Sequence, residues 1–220
     1  APRVANHKNY AVRWKAHDAS DDLLAFYKLD HANNYADYSA AITNLHTPGQ
    51  NAVFAAKSGE IAIRTQGEWP AKWKGQGDFV MPGRDSSYLW QGMIPQNETP
   101  FQYNPDRSFI SSANQDPADS TYPYYLGRGY SIYRGLYINR RLQAMNNITP
   151  EDMMALQTSN YNVLAESATP VFLKNIKEEQ LNDAEKKYLD ILRTWDYNSA
   201  PDSKAATVFS VLWDNFYKVV

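Results

Sequence analysis

Cysteine is absent from the 220 residues. That removes disulfides, thiolate catalysis and Cys-ligated zinc from the chemistry open to this chain. Histidine is scarce: His7, His17, His31 and His46 are the four present. They lie at expected turns or helix ends and show no HxxxH or HxH spacing, so they read as surface or capping residues and no metal site is expected. No apolar run approaches the roughly 20 residues that span a bilayer, and membrane insertion is not expected. Neither sign of charge dominates, with 22 Lys and Arg against 24 Asp and Glu. A balance of that kind, interspersed along the chain, lacks the basic stripe of a nucleic-acid binder, and no nucleic-acid partner is expected. A GxSxG elbow, a Gly-rich phosphate loop between strand and helix, and an EF-hand pattern are also missing.

Aromatic surface, by contrast, is plentiful. The chain has 16 tyrosines, 6 tryptophans and 43% hydrophobic residues, enough for a sizeable core and too apolar for disorder. Its length suits one large domain or two small ones at roughly 100–200 residues each. Texture divides it into an α+β segment over 1–120 and an all-α region over 121–220, giving an α+β fold class.

In the first part, Tyr10–Ala16 alternates apolar with charged residues and is expected to be a strand. Short helices are expected after the Asp18–Asp22 turn and over Tyr35–Leu45. Asn51–Ala56 and Glu60–Thr65, joined by Lys57-Ser58-Gly59, predict a β-hairpin. From Gln66 to Asn104, Gly and Pro recur every few residues with Trp69, Trp73, Phe79, Tyr88 and Trp90 between them. That is the composition of a structured loop packed over a sheet edge or a site. In the second part, helical spacing begins near Gly129 and Tyr130. Thr149-Pro150-Glu151-Asp152 is a helix start, and Pro170 is expected to kink or split a helix over Tyr161–Ile176. Further helices are expected over Leu181–Trp195 and from Ser203 to Val220, the last without a C-cap signal, as in a chain that continues.

One corner stands out chemically. Phe109-Ile110 reads as a short strand leading into Ser111-Ser112-Ala113-Asn114-Gln115-Asp116-Pro117, followed by a helix that carries Arg128, Arg134, Arg140 and Arg141. A small polar corner ahead of a cationic helix can present an amide to a developing negative charge. The same composition also describes a solvated loop and a basic surface helix, and both readings stand on spacing alone. Elsewhere no nucleophile–base pair, carboxylate dyad or phosphate cradle emerges.

Several stretches, in order, resemble the penicillin acylase (penicillin amidase) family of N-terminal-nucleophile hydrolases. They are Tyr10-Ala-Val-Arg-Trp14, Gln50 to Ile63, Gly67-Glu-Trp-Pro70, Met81-Pro-Gly83, Trp90-Gln-Gly-Met-Ile-Pro95, Asn104-Pro105, Phe109 to Gln115, Arg134 to Leu142, and Leu192-Arg-Thr-Trp-Asp196 followed by Ala205 to Phe209 and Trp213. The resemblance implies part of an αββα core and an internal piece of the family's large catalytic subunit. It places Asn114 on the asparagine whose amide helps form the oxyanion hole, and Arg134 on an arginine that supports the active site. Phe26 and Gln50 fall on positions lining the acyl pocket. Ala56 stands where the family usually has Asp.

The family's nucleophile is a serine at the large subunit's N-terminus, with its own α-amine as base. Residue 1 here is Ala1, so the isolated chain is expected to be inactive. The implied partners are a small-molecule N-acyl amide substrate, such as a beta-lactam or homoserine lactone derivative, and the remainder of the same precursor. No cofactor is expected in this chain, although calcium occurs in some full-length relatives. An exported setting, periplasmic or extracellular, is implied as well. The competing expectation is a non-catalytic module that binds a carbohydrate or peptide through the aromatic loop.

Overall fold

A glycine makes the central turn. Gly59 takes φ 93°, and its N–H bonds to the Ala56 carbonyl at 2.9 Å, which folds β1 (Gln50–Ala55) back on β2 (Ile61–Gln66) as antiparallel partners. β3 (Phe101–Tyr103) adds to the other side of β2, with Ala62 opposite Tyr103, completing a three-stranded sheet of order β1-β2-β3. This is a computed structural model, and it describes residues 10–127 and 131–220. His7, Arg128, Gly129 and Tyr130 lie outside the described residues. Two compact units result, one ending at Ser131 and the other running Ile132–Val220.

In the first unit, α1 (Asp22–Leu29) and α2 (Tyr35–Ile42) precede the sheet. Asn34 caps α2 by accepting from the Asp37 N–H at 2.9 Å, satisfying one of the donors that every helix start leaves open. Tyr38 and Ile42 of α2 and Ala62 of β2 form a buried cluster, with Tyr35, Ala52 and Phe54 packed around it. The Tyr38 hydroxyl donates to the Ala52 carbonyl at 2.7 Å, tying the helix to β1. Asp22 ties α1 down in turn, since one of its carboxylate oxygens accepts from the backbone N–H groups of both His46 and Thr47.

Burial pushes the Tyr38 phenol up to about 12. In the unfolded chain the same phenol ionises near about pH 10. Its folded pKa is the higher one, so its stabilising contribution is complete below about pH 10 and is lost as the pH rises through about 12. We expect the urea midpoint to fall more between about pH 9 and about pH 11 than it does for Tyr38→Phe. At about pH 9 the Phe variant should be weaker by about 1 kcal/mol, the net worth of one hydrogen bond. Equal alkaline losses in the two proteins would rule the phenol out as the source.

The second unit is helical: α3 (Tyr133–Ala144), α4 (Pro150–Gln157), α5 (Val163–Asn175), α6 (Asp183–Arg193) and α7 (Lys204–Val219). Side-chain caps define the starts of four of them. Thr149 forms a capping box with Asp152, Asn182 forms one with Glu185, and Asn162 and Ser203 accept from Ala165 and Ala206 N–H groups. Ala165, Leu192, Trp195, Ala205 and Phe209 make the core, drawn from α5, α6, the turn after α6, and α7. The Trp195-Asp196 pair closes that turn. The Trp195 indole donates to the Asn198 carbonyl at 2.9 Å, Asp196 accepts from the Asn198 N–H at 2.9 Å, and Tyr197 between them takes φ 62°.

Several expectations need correction. Tyr10–Ala16 is not a strand, because residues 10–14 are irregular and Lys15–His17 is a short 3-10 helix. Its alternating charges serve ion pairs instead: Arg13 and Lys15 both reach Asp18, and Lys15 also meets Glu68. Phe109-Ile110 is not a strand either. Asn104 and Ser108 turn the backbone at φ 44° and 58°, and β2 already has β1 and β3 as its two neighbours. α2 stops at Ile42 rather than Leu45, since Thr43 and Asn44 fold their side chains back onto the Ala40 and Ala41 carbonyls. α5 runs through Pro170 as one helix and is not split.

Candidate functional site

Asn114 sits on the corner the sequence picked out, with its backbone in the left-handed region at φ 62°. Asn tolerates that conformation better than most residues because its short polar side chain finds local partners. Its side chain is exposed in this chain. The three residues before it are each held. Ser112 Oγ accepts from Asn51 Nδ2 at 2.6 Å, a tie reaching 61 positions back to β1. Asn51 is itself oriented by Thr65 of β2, whose hydroxyl donates to Asn51 Oδ1 at 2.9 Å. The Ala113 N–H donates to Gln115 Oε1 at 2.6 Å, and Gln115 Nε2 donates to the Ser111 carbonyl at 3.1 Å. Ala113 is buried as the apolar anchor of the turn.

Gln50 opens β1 one residue before Asn51 and is paired with Gln66 across the hairpin. Successive strand side chains point to opposite faces, so Gln50 and Asn51 project to opposite sides of the sheet. Its backbone is fixed by neighbours on both strands. A Cβ built on Gly49 would lie 2.2 Å from Trp69 Cζ2, and one on Gly67 would lie 2.9 Å from the Gly49 Cα. Only glycines admit the indole there. Below the strand end, fully buried Gln66 donates to the Leu45 carbonyl at 3.2 Å and to Gln96 Oε1 at 2.6 Å, joining the segment after α2, β2 and the long loop.

Phe26 lies on α1, 55% exposed, with Leu23 and Tyr27 also open to solvent. Arg134 is an exposed residue of α3 in the second unit. The first unit thus contains Asn114, Gln50 and Phe26, and the hydrogen bond from Asn51 to Ser112 links the β1 end to the Asn114 corner. Asn51, Ser112 and Gln115 are the site residues that sequence reasoning missed. The signal for them was two adjacent amide pairs, Gln50-Asn51 and Asn114-Gln115.

Beyond the corner, Asp116, Pro117 and the Tyr122–Gly127 stretch line a cavity of about 660 Å³ together with Lys72 and Trp73. Lys72 places its ammonium 5.5 Å from the centre of the Tyr125 ring. Burial lowers its pKa, opposed by the charge of Asp78. The aromatic loop packs on itself, with Trp73, Phe79 and Tyr88 at centroid separations of 5.9, 6.0 and 6.4 Å and mutual tilts of 44° to 88°. His46 lies 3.9 Å from Asp22 and 3.8 Å from Glu68, and His31 Nδ1 bonds the Tyr27 carbonyl at 2.8 Å. Among the described residues, no group of three or more His, Asp or Glu is arranged to hold a metal, and no helix is long and apolar enough to cross a membrane.

Known proteins resemble this chain over most of its length. The penicillin amidase family model matches residues 2–220. An acyl-homoserine lactone acylase QuiP of Pseudomonas syringae pv. tomato is 26% identical over 193 residues, covering 84% of this chain and 22% of the relative. A QuiP of Pseudomonas fluorescens is 30% identical over 108 residues, 49% of this chain and 13% of the relative. Among solved structures, a thermostable penicillin G acylase from Alcaligenes faecalis superposes with a TM-score of 0.60 at 20% identity, over 82% of this chain and 33% of that one. At that identity the likeness shows the fold. The chain spans about a fifth of the length of the Pseudomonas syringae pv. tomato relative. An α+β fold shared with penicillin G acylase and a family match along nearly every residue make this chain a member of the penicillin amidase family.

Proposed function

We propose that this chain supplies the oxyanion amide and part of the acyl pocket of an amidohydrolase that cleaves N-acyl amides. The observation that carries the reading is the Asn114 corner, a carboxamide on a left-handed turn with three successive braced residues behind it. A donor fixed before the reaction begins stabilises a tetrahedral oxyanion without reorganising. In this reading an N-terminal serine outside these 220 residues attacks the amide carbonyl, with its α-amine taking the proton. The Asn114 amide donates to the resulting oxyanion, the amine leaves, and water then releases the acid. Phe26 and Gln50 shape the acyl side, and Arg134 supports the site. The isolated chain, without the serine, is inactive, and its substrate partner is a small N-acyl amide. The protein acts outside the cytoplasm, as the family resemblance implies, and any calcium binds to parts of the full-length protein other than this chain.

The acylase reading is preferred to a sugar- or peptide-stacking module because Trp73, Phe79 and Tyr88 are tilted against one another and form no flat platform. The test is amine release by the full-length protein offered penicillin G and N-acyl-homoserine lactones of several chain lengths. Release from at least one of them, absent from the 220-residue chain alone, is the expected result. No release from any would sink the proposal.

A further inference from the structure

We infer that Gln115 is a positioning residue for Asn114, with Asn51 and Ser112 as its second tie; this rests on the oxyanion role proposed above. A carboxamide on an exposed corner stabilises charge only if its backbone holds still, since a displacement of about 1 Å can cost about 10²-fold in rate. Among the described residues the corner has no strand beneath it to do this, because Phe109-Ile110 is irregular and outside the three-stranded sheet. Side chains do it instead. The half-buried Gln115 carboxamide spans from the Ala113 N–H to the Ser111 carbonyl, 2.6 and 3.1 Å away, and closes a ring around the residues that lead into Asn114. On the other side, Asn51 grips Ser112 at 2.6 Å and is held by Thr65 at 2.9 Å, so the hairpin sets where the corner sits. Gln115 uses both ends of its amide in this way, and a side chain of similar size without donor and acceptor cannot replace it.

The experiment is steady-state kinetics of the full-length protein with an N-acyl-homoserine lactone or penicillin G, whichever it hydrolyses faster. Gln115→Met keeps the side-chain volume and removes both bonds. It is expected to lower kcat by about 10- to 100-fold while KM changes less than about twofold. Ser112→Ala and Asn51→Ala should each give a smaller kcat loss of the same kind, and they carry the comparison if Gln115→Met does not fold. The deciding readout is the same substitutions placed in Asn114→Ala. There they should cost nothing further, because the group they position is gone. An unchanged kcat in all three variants, or an equal fractional loss with and without Asn114, would overturn the inference and leave these residues merely structural. Full activity in Asn114→Ala alone would remove the functional reading itself, a different outcome from either of those.

Discussion

Asn114→Ala in the full-length protein should lower kcat by about 10²- to 10³-fold, corresponding to about 3–4 kcal/mol of lost transition-state stabilisation. In the proposed mechanism the amide donates to negative charge that exists only after the serine has attacked, so the loss should fall on kcat and kcat/KM together, with KM little changed. Folding should be spared. The side chain is exposed, and the bracing bonds made by Asn51, Ala113 and Gln115 stay in place. Removing a left-handed Asn does strain the backbone at φ 62°, at a cost of about 1 kcal/mol. Asn114→Gly is therefore the control, relaxing the backbone while still removing the donor. Both variants should be equally slow. Recovery of activity in the Gly variant would mean that strain, and not the missing donor, caused the loss.

The largest expected effect on stability is at Phe209. It is 2% exposed, and its ring lies 5.7 Å from Trp195 and 6.1 Å from Trp213, centroid to centroid. Phe209→Ala opens a hole where α5, α6 and α7 supply the lining through Ala165, Leu192 and Ala205. Residues of that rigidity close such a hole only partly, and the cost is about 3–5 kcal/mol. Phe209→Leu retains most of the volume and should cost no more than about 1.5 kcal/mol. Hydrogen exchange of α6 and α7 amides reads this unit directly, through opening free energies that drop by those amounts. Comparable protection in the Ala variant and the parent would show that the cluster does not hold the unit together.

Local chemistry made some of this structure legible in the sequence. The β1–β2 hairpin followed from two strand-like runs joined by Lys57-Ser58-Gly59, and the start of α4 followed from Thr149, Pro150 and Asp152, because each of those signals acts within a few residues. Tyr10–Ala16 alternates and makes no strand, since alternation also arises when charged residues along an irregular segment pair with Asp18 and Glu68. β3 spans only Phe101–Tyr103, too short to carry a period. Asn114 was legible as the amide of a small polar corner, and family resemblance then gave that residue its expected role. Its left-handed backbone and its braces were not, because the tie from Asn51 to Ser112 crosses 61 positions and no local pattern encodes a contact of that span. Arg134, Phe26 and Gln50 were likewise placed by resemblance, and the fold distributes them over α3, α1 and β1.

The packing of Trp69 against Gly49 and Gly67 has a consequence for engineering. Any side chain at position 49 would begin 2.2 Å from the indole, so it would displace the ring and with it the start of β1 at Gln50. Randomising these positions would yield misfolded clones rather than altered selectivity. A library built on this chain therefore keeps Gly49, Gly67 and Trp69 fixed and spends its diversity on α1, where Leu23, Phe26 and Tyr27 face outward and can change without moving the sheet.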